Sequence, residues 1–531
     1  MSTKRFALAA MLAGATFLTA VSVEARTLRW ARAQDATTLD PHSGNTGPNH
    51  VMGHNIYEPL VIRGFDGKLV GALATEWRVL PNDPTVWEFK LRPNVRYHNG
   101  NAFTADDVVF SLKRALQPAA DMKSLLVSVE DVTKVDDLTV HVKTKGPNPL
   151  LVNNLTNLFI MDKEWSEQNN ATQVQDLKAN TENFATRNAM GTGPFQLVSR
   201  EPDQRTVMRR YENYWGKDQI QNDISEIVYR PIPEAATRVA ALLSGEVDWV
   251  QDLPPQDIER LRTAQGVRVS TGPENRPIFL GMNVGVPELR SSDVKGKNPF
   301  AEVRVRQAIN TAINREAIQR VVMRGQSQPA GAVASPFING YTKELDTWPK
   351  YDVAAARKLL ADAGYPNGFS TTLHCTNDRY VNDEGICQAV VGMLGQIGIK
   401  ATLVAQSLRV HFPAIQRGEY DFYLLGWGIP TFDSHYVFND LYRTKTASAG
   451  TWNGTGFSDP ELDKKIDSLN SEIDTAKRNA TIAEIWKQVQ ANNVYAPIHN
   501  QFIAYGMRAE FDIPVDVENT PKVRFISSRR S

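Results

Sequence analysis

The chain has 531 residues, with 59 lysine and arginine side chains against 59 aspartates and glutamates. This balance provides no net field to attract nucleic acid or an anionic membrane surface, so neither is expected as a partner. The length is sufficient for two or more lobes, each with its own hydrophobic core.

The first 25 residues have the pattern of a cleavable secretory signal. Lys4 and Arg5 give a charged start, Phe6–Val21 carries no charge, and small side chains at Val23 and Ala25 precede the expected cut. The apolar segment is shorter than the roughly 20 residues of a membrane-spanning helix. No cysteine follows it to accept a lipid. We therefore predict an exported, soluble protein that is not a lipoprotein.

A strand, a tight turn and a capped helix are predicted in succession after residue 86. Apolar and charged side chains alternate from Trp87 to Arg92, which is the period of a half-buried strand. Asn99-Gly100 is a turn pair, because glycine accepts the positive φ of such turns. Thr104 stands three residues before Asp107 and just ahead of an apolar run, which predicts a helix N-cap. All three elements are structural and none carries chemistry.

Strands and helices alternate most clearly between residues 352 and 426. Strand–helix–strand spacing of this kind implies parallel strands joined by right-handed crossovers, and the chain is predicted to be α/β. The predicted elements are a helix capped by Asp352 and stopped at Gly364, a strand at Ser370–Cys375, a helix from about Ile386 to Ile397, a strand at Ile399–Ala405, a helix-like stretch to Arg417 and a strand at Tyr420–Leu425.

Two loops, Thr376–Asp383 and Gly426–Asp433, leave the carboxyl ends of these strands. In open parallel sheets, ligands bind outside the carboxyl ends of the strands, so both loops are predicted to meet at one ligand-binding rim. Gly426 and Gly428 would allow a ligand to approach the backbone, and Trp427 between them offers a flat apolar wall. The alternative for Trp427 is a core side chain at a strand end.

The first of these loops carries Asn377, Arg379 and Tyr380 as candidate binding residues. An arginine fork suits a carboxylate, and a tyrosine presents an amphipathic face. The alternative is a surface loop pinned by a disulfide between Cys375 and Cys387, the only two cysteines. In an oxidising compartment these cysteines can pair, although two buried thiols are also consistent with the sequence.

No enzyme, metal or cofactor is predicted. His50 and His54 are four residues apart and His42 is near, but two imidazoles without a cysteine or carboxylate partner are usually surface or packing residues. The chain contains no G-x-S-x-G elbow, no H-E-x-x-H motif and no phosphate loop. A secreted hydrolase is therefore only a distant alternative.

A series of short blocks runs through nearly all of the chain after the predicted signal. The blocks are Thr38–Pro41, Ile56–Val61, Leu73–Trp77, Trp87–Leu116, Gly191–Phe195, Tyr211–Trp215, Val303–Ile309 and Leu359–Pro366. Each is weak alone. In this order, after an export signal, the chain resembles the family 5 extracellular solute-binding proteins, the ligand receptors of peptide, nickel and opine ABC importers.

The resemblance implies a two-lobed periplasmic binding protein of type II, of the large peptide-binding class, that closes on its ligand by hinge motion. Hinge crossings are expected near Asn283-Val284 and Asn500-Gln501. The implied divisions are lobe I at residues 26–65, 185–283 and 502–531, an extra small domain at 66–184, and lobe II at 284–501.

The resemblance also implies roles for several residues. Ser43, Asn45 and Thr46 would meet the ligand backbone from lobe I. In peptide-binding members an aspartate three residues after the tryptophan anchors the peptide ammonium group, but here Pro430 stands there and offers no charge and no N–H. Asp433 lies three residues further on and is the acid expected to replace it. The alternatives for Asp433 are a solvated loop acid or a helix cap.

The function implied is a monomeric periplasmic receptor that binds short peptides in the cleft between the lobes and delivers them to a membrane permease. The alternative is the same class of receptor for a non-peptide solute such as an opine, a sugar conjugate or a nickel chelate.

Overall fold

The computed structural model describes residues 26–64, 68–447 and 449–528. The predicted signal segment lies outside these residues. The strands are β1 (Arg26–Arg32), β2 (Val61–Arg63), β3 (Leu69–Gly71), β4 (Ala74–Leu80), β5 (Asp83–Leu91), β6 (Val129–Asp136), β7 (Thr139–Thr144), β8 (Phe195–Glu201), β9 (Arg205–Arg210), β10 (Ile224–Pro231), β11 (Trp249–Val250), β12 (Val267–Met282), β13 (Ser327–Pro329), β14 (Ser370–Thr376), β15 (Lys400–Gln406), β16 (Phe422–Gly426), β17 (Tyr495–Arg508), β18 (Phe511–Asp512) and β19 (Ser527–Ser528).

The α-helices among the described residues vary from one turn to five. They are α1 (Gly47–Ile56), α2 (Ala105–Ala115), α3 (Leu151–Asn154), α4 (Lys163–Gln168), α5 (Ala235–Ser244), α6 (Ile258–Arg262), α7 (Val303–Ala312), α8 (Arg315–Ala317), α9 (Val353–Asp362), α10 (Asp383–Gln396), α11 (Leu408–Arg417), α12 (Ser434–Val437), α13 (Pro460–Ser468) and α14 (Thr475–Asn492). In the described part of the chain, no helix has both the length and the apolar character needed to cross a membrane.

An eleven-stranded mixed sheet runs through the molecule in the order β15-β14-β16-β12-β17-β11-β1-β10-β9-β8, with β13 added to β17. Near one end, β14 is parallel to both β15 and β16. On the other side, β1 is parallel to both β10 and β11. The long antiparallel strands β12 and β17 join these two parallel groups. The α/β class and the two-lobed architecture are thus confirmed.

The ladder between β12 and β17 is interrupted between the two parallel groups of strands. Its register shifts between Pro273 and Pro277, opposite Asn500–Phe502. Beyond the interruption, Ile278–Met282 also pairs with β16 of the second lobe. The crossing predicted near Asn283 lies directly after the end of β12, next to the part of that strand that pairs with the second parallel group.

The elements predicted between residues 352 and 426 are all present as α9, β14, α10, β15, α11 and β16. The Asp352 carboxylate accepts a hydrogen bond from the Ala355 N–H at 2.9 Å, as expected for a cap. Helix α10 begins three residues earlier than predicted, at Asp383. The reason is that the Asp383 carboxylate accepts from the main-chain N–H groups of Arg379 and Tyr380, which shortens the loop before the helix.

The strand, turn and helix predicted after residue 86 belong to a separate antiparallel sheet of order β4-β5-β7-β6. Gly100 has φ of 93°, as the turn requires. Thr104 caps α2, since its side chain accepts from the Asp106 N–H while Asp107 accepts from the Thr104 N–H at 2.8 Å. This run therefore builds a part of the scaffold outside the main sheet.

Several of the short sequence blocks meet in the interior at Glu58. Its carboxylate accepts hydrogen bonds from Thr192 Oγ1 at 3.0 Å, Tyr214 OH at 2.8 Å and Trp215 Nε1 at 2.7 Å. Arg524 completes the set, with Nη1 at 3.0 Å from Glu58 Oε1. Both members of this ion pair are almost fully buried. The motifs that carry the family resemblance therefore cooperate in packing.

A disulfide joins Cys375, in β14, to Cys387, in α10. It ties the strand to the helix on either side of the first rim loop. Replacing both cysteines with alanine should lower the free energy of unfolding by about 3 kcal/mol, because the bridge restricts a short loop of the unfolded chain. Urea denaturation of the wild type and the double variant, both without reductant, measures the difference. Equal midpoints and slopes would show that the bridge contributes nothing.

Candidate functional site

A cavity lies where the two lobes face each other. It is bounded by the start of α1, the two rim loops after β14 and β16, the interruption in β12 and the segment after β18. The lining residues are Asn45, Thr46, Gly47, His50, Asn157, Asn275, Arg276, Arg379, Tyr380, Phe412, Leu425, Gly426, Trp427, Gly428, Ile429, Pro430, Tyr436, Trp452, Glu518 and Thr520.

The two predicted rim loops meet at this cavity. Tyr380 OH, from the first loop, donates a hydrogen bond to the Gly426 carbonyl oxygen at 3.0 Å. The prediction from strand connectivity alone is thereby confirmed. The residues predicted as ligand contacts that do line the cavity are Asn45, Thr46, Arg379, Tyr380, Gly426, Trp427 and Gly428.

An aromatic wall covers one side of the cavity. The rings of Trp427 and Tyr436 are stacked, with centroids 5.5 Å apart and planes at 23°. Trp452 meets Trp427 edge to face at 5.5 Å. Asn45 Nδ2 donates to Tyr436 OH at 3.0 Å, so this wall also contacts the first lobe. Such a wall suits apolar side chains of varied shape, because stacking requires no specific hydrogen bond.

Two arginines line the cavity, and only one of them forms an ion pair with a described carboxylate. Arg276 Nε lies 2.7 Å from Glu274 Oε1, in a buried ion pair. Arg379 is only 7% exposed, and its Nε has no hydrogen-bond partner. Burial, followed by the charge of Arg276, lowers the pKa of Arg379 to about 10, so it remains a cation at neutral pH. No described carboxylate forms an ion pair with it.

The loop that carries Arg379 is held from both sides. Gln34 Nε2, from the first lobe, donates to the Arg379 carbonyl oxygen at 2.9 Å. Gln501, opposite the interruption in β12, donates through Nε2 to Glu274 and accepts from the Val381 N–H at 2.9 Å. The main chain around Arg379 is therefore held by contacts to the first lobe and to the crossing strands.

Three predicted contacts lie elsewhere. The Ser43 hydroxyl donates to the Gln175 carbonyl oxygen at 2.7 Å, and Asn377 is exposed on the surface. Asp433 pairs with Arg478 through contacts of 2.7 and 2.8 Å and caps α12 by accepting from the His435 N–H. None of the three lines the cavity. The cap alternative for Asp433 is thus the arrangement observed.

Asp433 is expected to contribute to stability and not to ligand affinity. Burial alone would raise its pKa, but the hydrogen bonds and charge of Arg478 leave that pKa below its ordinary value. Asp433→Asn should lower the free energy of unfolding at pH 7 by about 1–3 kcal/mol, because Arg478 loses its charged partner. The stabilisation from ionised Asp433 is fully present above the ordinary carboxyl pKa. It is lost as the pH falls through the lowered pKa of Asp433 in the folded protein, so the stabilities of wild type and variant should converge in acid.

Urea denaturation between pH 7 and pH 3 measures this convergence. Asp467→Asn is the matched control, because its ion pair with Arg443 is half-exposed and worth less than about 1 kcal/mol. A loss of ligand affinity in Asp433→Asn, with stability unchanged, would restore Asp433 as a ligand contact.

The three histidines occupy interior positions. His42 Nε2 lies 2.9 Å from the Phe159 carbonyl oxygen, and His54 Nε2 lies 2.8 Å from Asn157 Oδ1. His50 lines the cavity, and burial lowers its pKa to about 3, so its ring is neutral. Among the described residues, no group of three side chains is arranged to hold a metal ion.

Several lining residues were missed from the sequence. Arg276 stands two residues after Glu274, between Pro273 and Pro277 of β12, and the two opposite charges in this strand were an available signal. Tyr436, Trp452, Glu518 and Thr520 have no local pattern that distinguishes them, because they reach the cavity only through the packing of distant segments.

Residues 68–449 match the family described as bacterial extracellular solute-binding proteins, family 5 middle. The glutathione-binding protein GsiB of Pectobacterium atrosepticum is 26% identical over 466 residues, which cover 86% of this chain and 85% of that protein. Among solved structures, DppA of Helicobacter pylori in complex with the peptide STSA is 25% identical, with a TM-score of 0.81 over 95% of this chain and 98% of that one. AgaA of A. tumefaciens R10, in complex with agropinic acid, is 23% identical, with a TM-score of 0.82 over 95% of this chain and 99% of that one. The chain therefore belongs to the family 5 extracellular solute-binding proteins and is a solute-binding receptor of an ABC importer.

Proposed function

We propose that the receptor binds a short peptide, or a peptide-like solute with a free carboxylate, in the cavity between its lobes. The observation that carries this proposal is Arg379, a buried cation that lines the cavity and has no acidic partner among the described residues. A ligand carboxylate would satisfy the guanidinium fork through two parallel hydrogen bonds. GsiB is named as a glutathione-binding protein, and DppA was solved with a peptide, so relatives bind ligands of this kind.

The rest of the cavity supports a ligand with variable side chains. The stacked rings of Trp427 and Tyr436 offer apolar area without demanding one shape. Thr46 Oγ1, just before α1, is buried without a hydrogen-bond partner and could pair with a peptide N–H. Binding would then combine a fixed charge contact with an adaptable apolar one.

We assign lobe I to residues 26–65, 185–283 and 502–531, the extra small domain to 66–184, and lobe II to 284–501. The crossing at the end of the 185–283 segment would begin at Pro273–Pro277, where the pairing of β12 and β17 is interrupted, and the second crossing would lie at Asn500-Gln501. Contacts such as Asn45 with Tyr436 would form only when the lobes close. Closure stabilised by the ligand would let the permease distinguish loaded from empty receptor.

The export and docking of the receptor are part of the same proposal. Residues 1–25 would be removed as a signal peptide, and the mature receptor would be a periplasmic monomer without a lipid anchor. It would deliver its ligand to the permease in the inner membrane, and we expect it to need no cofactor and to carry out no reaction.

A non-peptide solute is the second candidate. Pro430 lines the cavity at the place where the family resemblance leads us to expect an ammonium-anchoring aspartate. AgaA was solved with agropinic acid, so an opine is one such solute, and a sugar conjugate or nickel chelate is another.

Native mass spectrometry of receptor purified without unfolding tests the proposal, because a closed receptor retains its cargo. We expect a heterogeneous series of di- to pentapeptide masses, or a single mass of a peptide such as glutathione. A sample that is unfolded, dialysed and refolded serves as the empty control. A single mass of a non-peptide solute would overturn peptide binding and favour the second candidate.

A further inference from the structure

Glu518 lies in the segment between β18 and β19 and brings a carboxylate to the cavity. Its Oε1 is buried and has no hydrogen-bond partner. A buried carboxylate oxygen without a donor is unfavourable, because it has lost water and gained nothing in return. A ligand could supply the hydrogen-bond donor that Glu518 Oε1 lacks.

Thr520 provides a second acceptor in the same part of the lining. Its side chain is almost fully buried, and Oγ1 also has no hydrogen-bond partner. A carboxylate oxygen and a hydroxyl oxygen, both unsatisfied and two residues apart, match a group with several N–H donors. An ammonium group has three such donors and a positive charge.

The charges around Glu518 do not already neutralise it. Burial is the largest influence and raises the pKa of Glu518, ahead of the opposing effects of Lys522 and Arg63. Lys522 Nζ lies 3.2 Å from Asp516 Oδ2, and Arg63 donates to Asn153 Oδ1 and to the Pro430 carbonyl oxygen. These cations therefore have other partners, and a ligand cation would favour the ionised form of Glu518.

The acidic position is separate from the basic one. Arg276 belongs to β12 and Arg379 to the loop after β14, whereas Glu518 belongs to the segment between β18 and β19. Pro430 lines the cavity and contributes no charged side chain. The lining thus includes a cation, Arg379, without a carboxylate partner and an acid, Glu518, whose Oε1 has no donor, an arrangement complementary to a zwitterion.

We infer that Glu518, assisted by the Thr520 hydroxyl, anchors a cationic group of the ligand, such as the free ammonium of a peptide or of glutathione. This inference rests on the proposed function. It assigns the ammonium contact to the C-terminal segment of the chain instead of the loop after Trp427.

The test uses two matched ligand pairs: the tripeptide Ala-Leu-Ala and its N-acetyl form, and reduced glutathione and its N-acetyl form. Each is titrated calorimetrically into ligand-stripped wild type, Glu518→Gln and Thr520→Val. Acetylation removes the ammonium charge and leaves the carboxylate for Arg379. Glu510→Gln is the control, because Glu510 belongs to the same C-terminal part of the chain but lies outside the cavity lining.

We expect the wild type and Glu510→Gln to prefer the free amine over the acetylated ligand by about 10- to 100-fold, the range of a charge-assisted hydrogen bond. In Glu518→Gln that ratio should fall to about one, and in Thr520→Val it should fall by about 2- to 10-fold. An unchanged ratio in Glu518→Gln would overturn the inference, even if the variant is less stable than wild type.

The remaining outcomes separate the inference from the proposed function. A wild type that binds free and acetylated forms equally would overturn the Glu518 anchor and leave peptide binding intact. A wild type that binds no member of either pair would overturn peptide binding and the anchor together.

Discussion

Replacing Arg379 with methionine should weaken the binding of carboxylate-bearing ligands on the order of 100-fold, because the ligand carboxylate would be desolvated without its charged partner. The same substitution should leave the empty receptor at least as stable as the wild type. Arg379 is buried and makes no ion pair with a described residue, and its guanidinium carbon lies 5.1 Å from the centroid of the Tyr380 ring. This contact offsets only part of the cost of desolvating the charge. Methionine keeps most of the apolar stem and its contacts.

Calorimetric titration with the tripeptide Ala-Leu-Ala and with glutathione measures the change in affinity. Urea denaturation of the ligand-free receptor measures the change in stability. Arg276→Met is the matched control, because it leaves Glu274 as an unpaired buried anion and should destabilise the empty receptor. If Arg379→Met unfolds as readily as Arg276→Met, Arg379 is a structural cation. If ligand affinity is unchanged, it is not the carboxylate contact.

Replacing Glu58 with glutamine should lower the free energy of unfolding by about 3–5 kcal/mol, the cost of leaving one member of a buried ion pair without its partner. Glutamine can still accept hydrogen bonds from Thr192 or Tyr214, but it cannot balance the buried charge of Arg524. The carboxylate accepts four hydrogen bonds in the wild type, so little of this arrangement can be recovered by rotation of the amide.

Urea denaturation followed by fluorescence and by circular dichroism measures the loss. Glu461→Gln is the control, because its ion pair with Lys464 is about three-quarters exposed and should contribute less than about 1 kcal/mol. Similar midpoints for Glu58→Gln and Glu461→Gln would mean that the Glu58 cluster is not a stabilising centre. Ligand affinity should be the same in both variants, because Glu58 does not line the cavity.

The sequence predicts the elements near residue 100 and those between residues 352 and 426 well, because the information there is local. The caps at Asp352 and Thr104 and the glycine turn at Gly100 depend on neighbours within a few residues. The meeting of the two rim loops follows from parallel strands, which place their carboxyl ends on one edge. No tertiary information is needed for either result.

The site itself depends on partners distant in the chain. Asp433 has the position of a rim acid, but Arg478 of α14, 45 residues later, turns it into a buried ion pair. Glu518 has no motif around it and reaches the cavity because the C-terminal segment folds back across the first lobe. A local sequence pattern shows what chemistry a side chain offers. Which side chains line the cavity depends on how distant segments of the chain pack together.

The neighbours of Gln501 restrict which side chains its position can accept. Glu274 requires a donor from it and the Val381 N–H requires an acceptor. Glutamate would repel Glu274, leucine would satisfy neither neighbour, and a lysine would have nothing to offer the N–H. A terminal amide of this length serves both neighbours, because its NH2 group donates and its carbonyl oxygen accepts. Gln501 lies opposite the break between Pro273 and Pro277 and contacts the loop of Arg379, which Gln34 of the first lobe also holds. A rotation of the lobes about that break would therefore strain both amide contacts of this loop.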